Sequence, residues 1–176
     1  MTIPSCNPAN NRLRKNQRGV GMLEILVTVL ILSIGFLAVA KMQVQGMRFS
    51  QSAYIEAQAY FMITDMMDRM RSNADGVRAG FYDNKGTTDS AIDPNCGVNY
   101  CDEEKLAEQD LFEWSAMLHP LRGTSSFVPA LPGSDTNTAS ARIVPQPNGL
   151  YRLIATWVER IGNNDQDQMM VLEFAL

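Results

Sequence analysis

The chain has 176 residues, with 15 Lys and Arg against 19 Asp and Glu for a formal net charge of −4, three Cys, one His and 45% apolar residues. That length suits one domain plus an extra element, with room for a hydrophobic core, and the composition is too apolar for a disordered chain. The acidic balance argues against a nucleic-acid binder, and one His with three scattered Cys cannot fill a zinc-finger framework of four paired ligands.

Charge and hydropathy are unevenly placed. Residues 1–19 hold Arg12, Arg14, Lys15 and Arg18 and no acid, which leaves 11 of the 15 bases against all 19 acids for the rest, a balance of −8. The 21 residues from Val20 to Ala40 then carry a single charge, Glu24. A bilayer core takes roughly 20 apolar residues as a helix, so the stretch is long enough to span. The basic flank predicts a cytoplasmic N-terminus, with the remainder exported to the periplasm or cell surface. Three readings compete. The first is a secretory signal peptide cut at the small-x-small site Ala38-Val39-Ala40, and the second an ordinary uncleaved anchor. The third turns on Glu24: a carboxylate within a span costs about 2.5–3.5 kcal/mol on insertion scales, so it normally has a partner and a purpose. A signal peptide gains nothing from it.

Arg18-Gly19 followed by Val20-Gly21-Met22-Leu23-Glu24 resembles the class III signal of type IV pilins, a basic leader ending in Gly and an apolar helix with Glu at its fifth position. The first position is usually Phe in that family and is Val20 here. The resemblance implies that a prepilin peptidase cleaves between Gly19 and Val20 and methylates the new amine of Val20. It also implies that Glu24 pairs with the N-terminal amine of a neighbouring subunit during assembly. Burying a carboxylate with an ammonium spares each the penalty it would suffer alone. Cleavage at Gly19 would remove Cys6 with the leader and leave an even number of cysteines.

No proline lies between Pro8 and Pro94, so nothing forces a break in a long helix. Ala57, Tyr60, Ile63, Met67 and Met70 recur at helical steps and predict one buried face. The run is expected to end at Arg71-Ser72-Asn73, with Gly76 as the stop signal. A helix from about Val20 to Asn73 would be roughly 80 Å long at ~1.5 Å per residue. Apolar all round at first and amphipathic later, it matches the pilin layout of a stick whose far half packs on a head. The mid-helix Pro usual in major pilins is absent, with Lys41-Met42 at the corresponding place.

Gln51-Ser52-Ala53-Tyr54 and Asp65-Met66-Met67-Asp68-Arg69-Met70-Arg71-Ser72-Asn73 resemble the type IV pilus modification (PilV) family of minor pilins. A Cys pair, Leu106-Ala107, Asp110-Leu111, Trp114 and the late Thr156-Trp157 fit the same family, so the likeness runs through the chain. The expected fold is α+β and type IV pilin-like: one long helix packed by its C-terminal half on a small antiparallel-sheet head with a second short helix. The expected divisions are a cleaved leader over 1–19, a membrane or filament-core segment over 20–46 and a periplasmic head over 47–176.

Residues 74–101, rich in Gly, Asn, Asp and Thr, predict an irregular connection. Cys96 and Cys101 bound the loop Cys-Gly-Val-Asn-Tyr-Cys, and in an oxidising periplasm two such close cysteines usually pair. Free thiols or a metal site are the alternatives, and with no His nearby a metal is disfavoured. Asp102 is expected to start a second helix, with Glu103 and Glu104 in its favourably charged first turn, Ala107, Leu111, Trp114 and Leu118 along one face, and Pro120 ending it. His119 has no visible catalytic partner, and Glu103, Glu104 and Glu108 read as a solvated face. Phe127-Val128 and Ile143-Val144 are short strand candidates bounded by prolines, which favour edge or terminal positions. Leu150 to Arg160 is the clearest strand, with Tyr151, Leu153, Ala155 and Trp157 on one face. Met169 to Phe174 is its expected antiparallel partner across a turn Gly162-Asn163-Asn164-Asp165. The spacing Asn163, Asp165, Asp167 hints at calcium, but Phe174 stands where a calcium loop places its bidentate Glu, so a plain turn is favoured.

No catalytic constellation, phosphate-binding Gly loop or metal cluster is legible, and neither enzyme activity nor a cofactor is expected. The resemblance implies a minor pilin of a type IVa pilus, held in the inner membrane by lipid and then placed at the pilus tip. Its partners there would be the other minor pilins, the major pilin and a tip adhesin, in support of assembly, twitching and adhesion. A minor pseudopilin of a type II secretion system shares the signal and the helix. A membrane-anchored periplasmic enzyme or binding module would need a concave site with convergent polar groups.

Overall fold

The computed structural model describes residues 21–89, 92–119, 128–133, 138–161 and 164–175. The whole leader through Gly19, and Val20 after it, lie outside the described residues, as do Pro120, Phe127, Gly162 and Asn163. The chain divides into two compact units, one ending at Gly46 and one beginning at Met47.

Helix α1, Met22–Ser72, is continuous, as expected of a stretch without proline or turn chemistry. Its residues up to Gly46 form the first unit, and every one of them is exposed.

In the second unit the remainder of α1 lies under a sheet and two further helices. Ala59, Met62, Ile63, Met66 and Met70 are the α1 side chains buried there. The expected face is thus correct at Ile63 and Met70 and misplaced elsewhere: Ala57 and Tyr60 are exposed, and Met67 is half-buried. Two apolar stripes one residue apart share this part of the helix. The one that is buried contains the small Ala59 and the Met62 carbonyl, which accepts a hydrogen bond from Trp114 Nε1 (3.1 Å).

Helix α1 ends at Ser72, within the expected Arg71-Ser72-Asn73. The Asn73 side chain accepts from Gly76 N and caps α2, Ala74–Arg78, a helix that the expected irregular connection did not foresee. Gly76 sits inside α2 because a Cβ there would come within 2.6 Å of the Asn73 amide. Helix α3, Glu103–Ala116, starts where expected, with Asp102 accepting from Lys105 N (3.0 Å). It buries Ala107, Asp110, Trp114 and Ser115, with Leu118 buried just beyond it and Leu111 only partly covered.

The sheet is antiparallel in the order β1–β2–β3, with β1 Ser140–Pro145, β2 Leu150–Ile161 and β3 Asn164–Ala175. A single 3-10 turn, Pro147–Gly149, joins β1 to β2, with Asn148 and Gly149 both at positive φ. On β2, Tyr151, Leu153, Ala155 and Trp157 all face the core, as the alternation predicts. Val128 is exposed and outside any strand, whereas Ile143-Val144 lie in β1.

Strand β3 starts five residues before the expected Met169. Ile161 pairs with Asn164, Arg160 with Asp165 and Val158 with Asp167, so Asn164, Asp165 and Asp167 belong to a ladder and not to a turn or calcium loop. Facing charges extend the pairing, with Arg160 Nε 3.0 Å from Asp165 Oδ1.

The free side of β1 is covered by residues 85–87: Ile143 N donates to Lys85 O (2.8 Å) and Thr87 N to Ala141 O (2.9 Å), with Gly86 opposite Arg142. The core joins these layers, with α1, Val77, Tyr82, Trp114 and Leu118 packed into one cluster with Ile143, Leu153, Trp157 and Phe174.

Candidate assembly site

The first unit is built for surroundings other than water. Leu23, Phe36 and Leu37 are 77%, 73% and 71% exposed, in a run of Val, Leu and Ile whose exposure continues through Val44. The helix is long and apolar enough to cross a membrane. Its two hydroxyls are satisfied internally, Thr28 Oγ1 donating to Ile25 O (2.8 Å) and Ser33 Oγ to Val29 O (2.7 Å). That removes the cost of leaving them bare in hydrocarbon. Glu24 is different. It sits in the first turn of α1, where the backbone N–H groups favour an anion, its own N–H donating to Gly21 O (2.9 Å). Its carboxylate is exposed among apolar neighbours.

The second unit contains a polar node that the sequence reading missed. Arg69 of α1 donates through Nε to Asp65 (2.8 Å) and through Nη1 to Glu113 (2.5 Å) and Asp110 (3.4 Å) of α3. Tyr82 Oη donates to Asp110 Oδ2 (2.6 Å) and accepts from Asn73 Nδ2 (3.0 Å), which also donates to Glu103 O (2.8 Å). Burial raises the Asp110 pKa above the ordinary carboxylate value, against the pull of the Tyr82 hydrogen bond and the Arg69 charge. Burial and the neighbouring Asp110 push the Tyr82 phenol up. The Arg69 hydrogen bond holds Glu113 below its ordinary value. For Arg69, burial works against the charge, and the bonds to Asp65 and Glu113 more than restore it. A sequence signal existed: Asp110 falls between Ala107 and Trp114 at helical steps of three and four, on the face that packs inward. Near the hairpin base, Tyr151 Oη donates to Asp83 Oδ1 (3.0 Å), and burial together with that carboxylate pushes the phenol up to about 12.

This node has the chemistry of a fastener. Its groups are committed to one another and to the backbone, and among the described residues no group of three or more His, Cys, Asp or Glu is placed to hold a metal. Glu103, Glu104 and Glu108 are exposed on α3. His119 is half-buried, and its Nε2 has no hydrogen-bond partner among the described residues. Cys96 and Cys101 are joined in a disulfide with Cα atoms 5.6 Å apart.

Residues 14–40 match the family described as the prokaryotic N-terminal methylation motif. No curated protein and no solved structure matches the chain. A long N-terminal helix packed against a three-stranded antiparallel sheet with short helices is a pilin-like α+β fold. With that fold and motif, the chain is a type IV pilin- or pseudopilin-like protein, a class of typically non-enzymatic structural subunits. The motif implies processing by a prepilin peptidase, and the apolar helix that follows it implies inner-membrane anchoring before assembly.

Proposed function

We propose that this chain is a minor pilin of the PilV type in a type IVa pilus. It is cleaved between Gly19 and Val20, methylated on the Val20 amine and held in the inner membrane with its head, residues 47–176, in the periplasm. From there it enters the pilus tip with other minor pilins above the major pilin, where the complex primes assembly and carries the tip adhesin. The observation that carries this reading is the methylation motif over residues 14–40 leading into a helix whose residues are uncovered as far as Gly46. Glu24, exposed in its first turn, supports it. The PilV-like residues Asp65 to Asn73, Asp110 and Trp114 support the finer assignment, since they build the α1–α3 fastening.

Mass spectrometry of the mature N-terminus tests the reading. A chain beginning at methylated Val20 is expected; one beginning at Lys41 would identify an ordinary signal peptide and overturn it. A minor pseudopilin is separated by deletion: loss of surface pili and twitching supports the pilus, and loss of secreted enzymes with intact pili supports the secretion system.

A further inference from the structure

The disulfide loop presents apolar side chains to solvent in a way that folding does not require. Val98 is 82% exposed, Tyr100 90% and Ile92 77%. Val98 and Tyr100 lie within a short, fixed scaffold, with Ile92 just ahead of it. The Cys96–Cys101 disulfide closes the loop, Val98 N and Asn99 N both donate to Asn95 O (3.0 and 2.9 Å), and Asn99 Nδ2 donates to Pro94 O (3.1 Å). Cys96 N donates to Gln109 Oε1 (3.2 Å) and so ties the loop to α3. A tyrosine on a fixed backbone has only two side-chain torsions to order, which makes it an economical anchor for association, because ordering side chains is a main cost of binding.

The surroundings define the partner. From Lys85 to Lys105 the chain carries Asp89, Asp93, Asp102, Glu103 and Glu104 against only the two lysines at its ends, a balance of −3, and all five acids are exposed. A second copy docking loop to loop would bring the same acids and be repelled, as would the anionic surface of a membrane. A protein face with an apolar pocket rimmed by Lys or Arg complements both features.

We propose that the loop 92–104 is a docking surface that inserts Tyr100 and Val98 into a basic-rimmed apolar pocket on the head of a different protein subunit. The inference deepens the assembly reading and rests on it for the place where that subunit is met.

The test uses the full-length chain in its own cells, with a benzoylphenylalanine photo-crosslinker at Tyr100 and sequencing of the linked peptide. The expected product is a peptide of another protein in which apolar residues are flanked by Lys or Arg. The double reversal Asp93→Lys with Glu103→Lys is expected to lower its yield at least about fivefold, with the disulfide confirmed intact by mass. Val98→Ser is expected to lower it as well without altering net charge. Crosslinks only to this same chain or to lipid, no crosslink, or a yield indifferent to charge reversal would overturn the proposal. The two readings fail separately. Assembled pili and a Val20 N-terminus without the crosslink reject the docking surface alone, whereas a Lys41 N-terminus with the crosslink rejects the pilin reading alone.

Discussion

Asp110 shows how one residue can be both a burden and a fastener. Its side chain is almost fully enclosed, which disfavours the carboxylate, yet Tyr82 and Arg69 reach it from two other parts of the chain. Because burial raises its pKa, the folded state holds the Asp110 proton more tightly than the unfolded chain does. Between the ordinary carboxylate value and that raised value, stability therefore falls as pH rises. Glu113 has the opposite sign: its lowered pKa contributes stability above the ordinary value that is lost as pH falls through the folded one. Asp110→Asn keeps one oxygen for the Tyr82 hydroxyl, gives up the long Arg69 contact on the other and removes the titration at this site. Urea unfolding of the full chain in detergent is expected to show the wild type gaining on the variant between pH 7 and pH 4.5. A difference that is flat, or that moves toward the variant on acidification, would show that Asp110 is not the strained carboxylate described. The node escaped the sequence reading because it is assembled across long separations. Asp65 and Arg69 advertise a helical pair at one turn, but nothing local says that α3 delivers Asp110 and Glu113 to the same guanidinium.

At the scale of elements, the free side of β1 is closed by a close approach that only glycine allows. A Cβ on Gly86 would lie 2.9 Å from Ala141 O and 3.2 Å from Arg142 Cβ. Gly86→Ala must push residues 85–87 away from β1, at about 1–3 kcal/mol for overpacking a filled site. Hydrogen exchange should then quicken at Ile143 and Thr87, whose N–H groups bond across that seam, and stay unchanged at the β2–β3 pairs. Equal loosening throughout the sheet would refute the local account. Legibility varied by element for physical reasons. Strand β2 was readable because alternation at period two leaves one solution for a half-buried strand, and α1 because nothing in its sequence interrupts a helix. The start of β3 was not, since Asn164-Asp165-Gln166-Asp167 has turn-like composition and pairs because β2 and its Arg160 lie opposite. Helix α2, at five residues, is too short to show a period and depends on its Asn73 cap. The buried face of α1 depended on which of two neighbouring stripes met Trp114, a tertiary choice.

For the whole molecule, the net charge of −4 combines two populations, four bases ahead of Gly19 and a balance of −8 beyond it. In the proposed topology the basic residues hold one end on the cytoplasmic side. Beyond them Glu24 is the lone charge in an otherwise apolar run. If its role were only to start the helix, Gln would serve nearly as well, since loss of a favourable anion at a helix N-terminus costs about 0.3–1 kcal/mol. If it receives the amine of an incoming subunit, Gln leaves that ammonium in apolar surroundings without its counter-ion, a loss of about 3–5 kcal/mol for breaking a buried pair. By mass action, ~1.4 kcal/mol is a factor of ten in occupancy, so the two accounts differ by orders of magnitude at the filament. Membrane insertion itself should be slightly easier for the neutral variant. Glu24→Gln is therefore expected to give normal levels of membrane-held, processed protein and a loss of at least tenfold in the subunit recovered from sheared pili, on the same free-energy scale. Quantitative blotting of the membrane and sheared fractions decides between the accounts. Equal recovery from both fractions would reduce Glu24 to a helix-start residue and remove the pairing step from the assembly proposed for this chain.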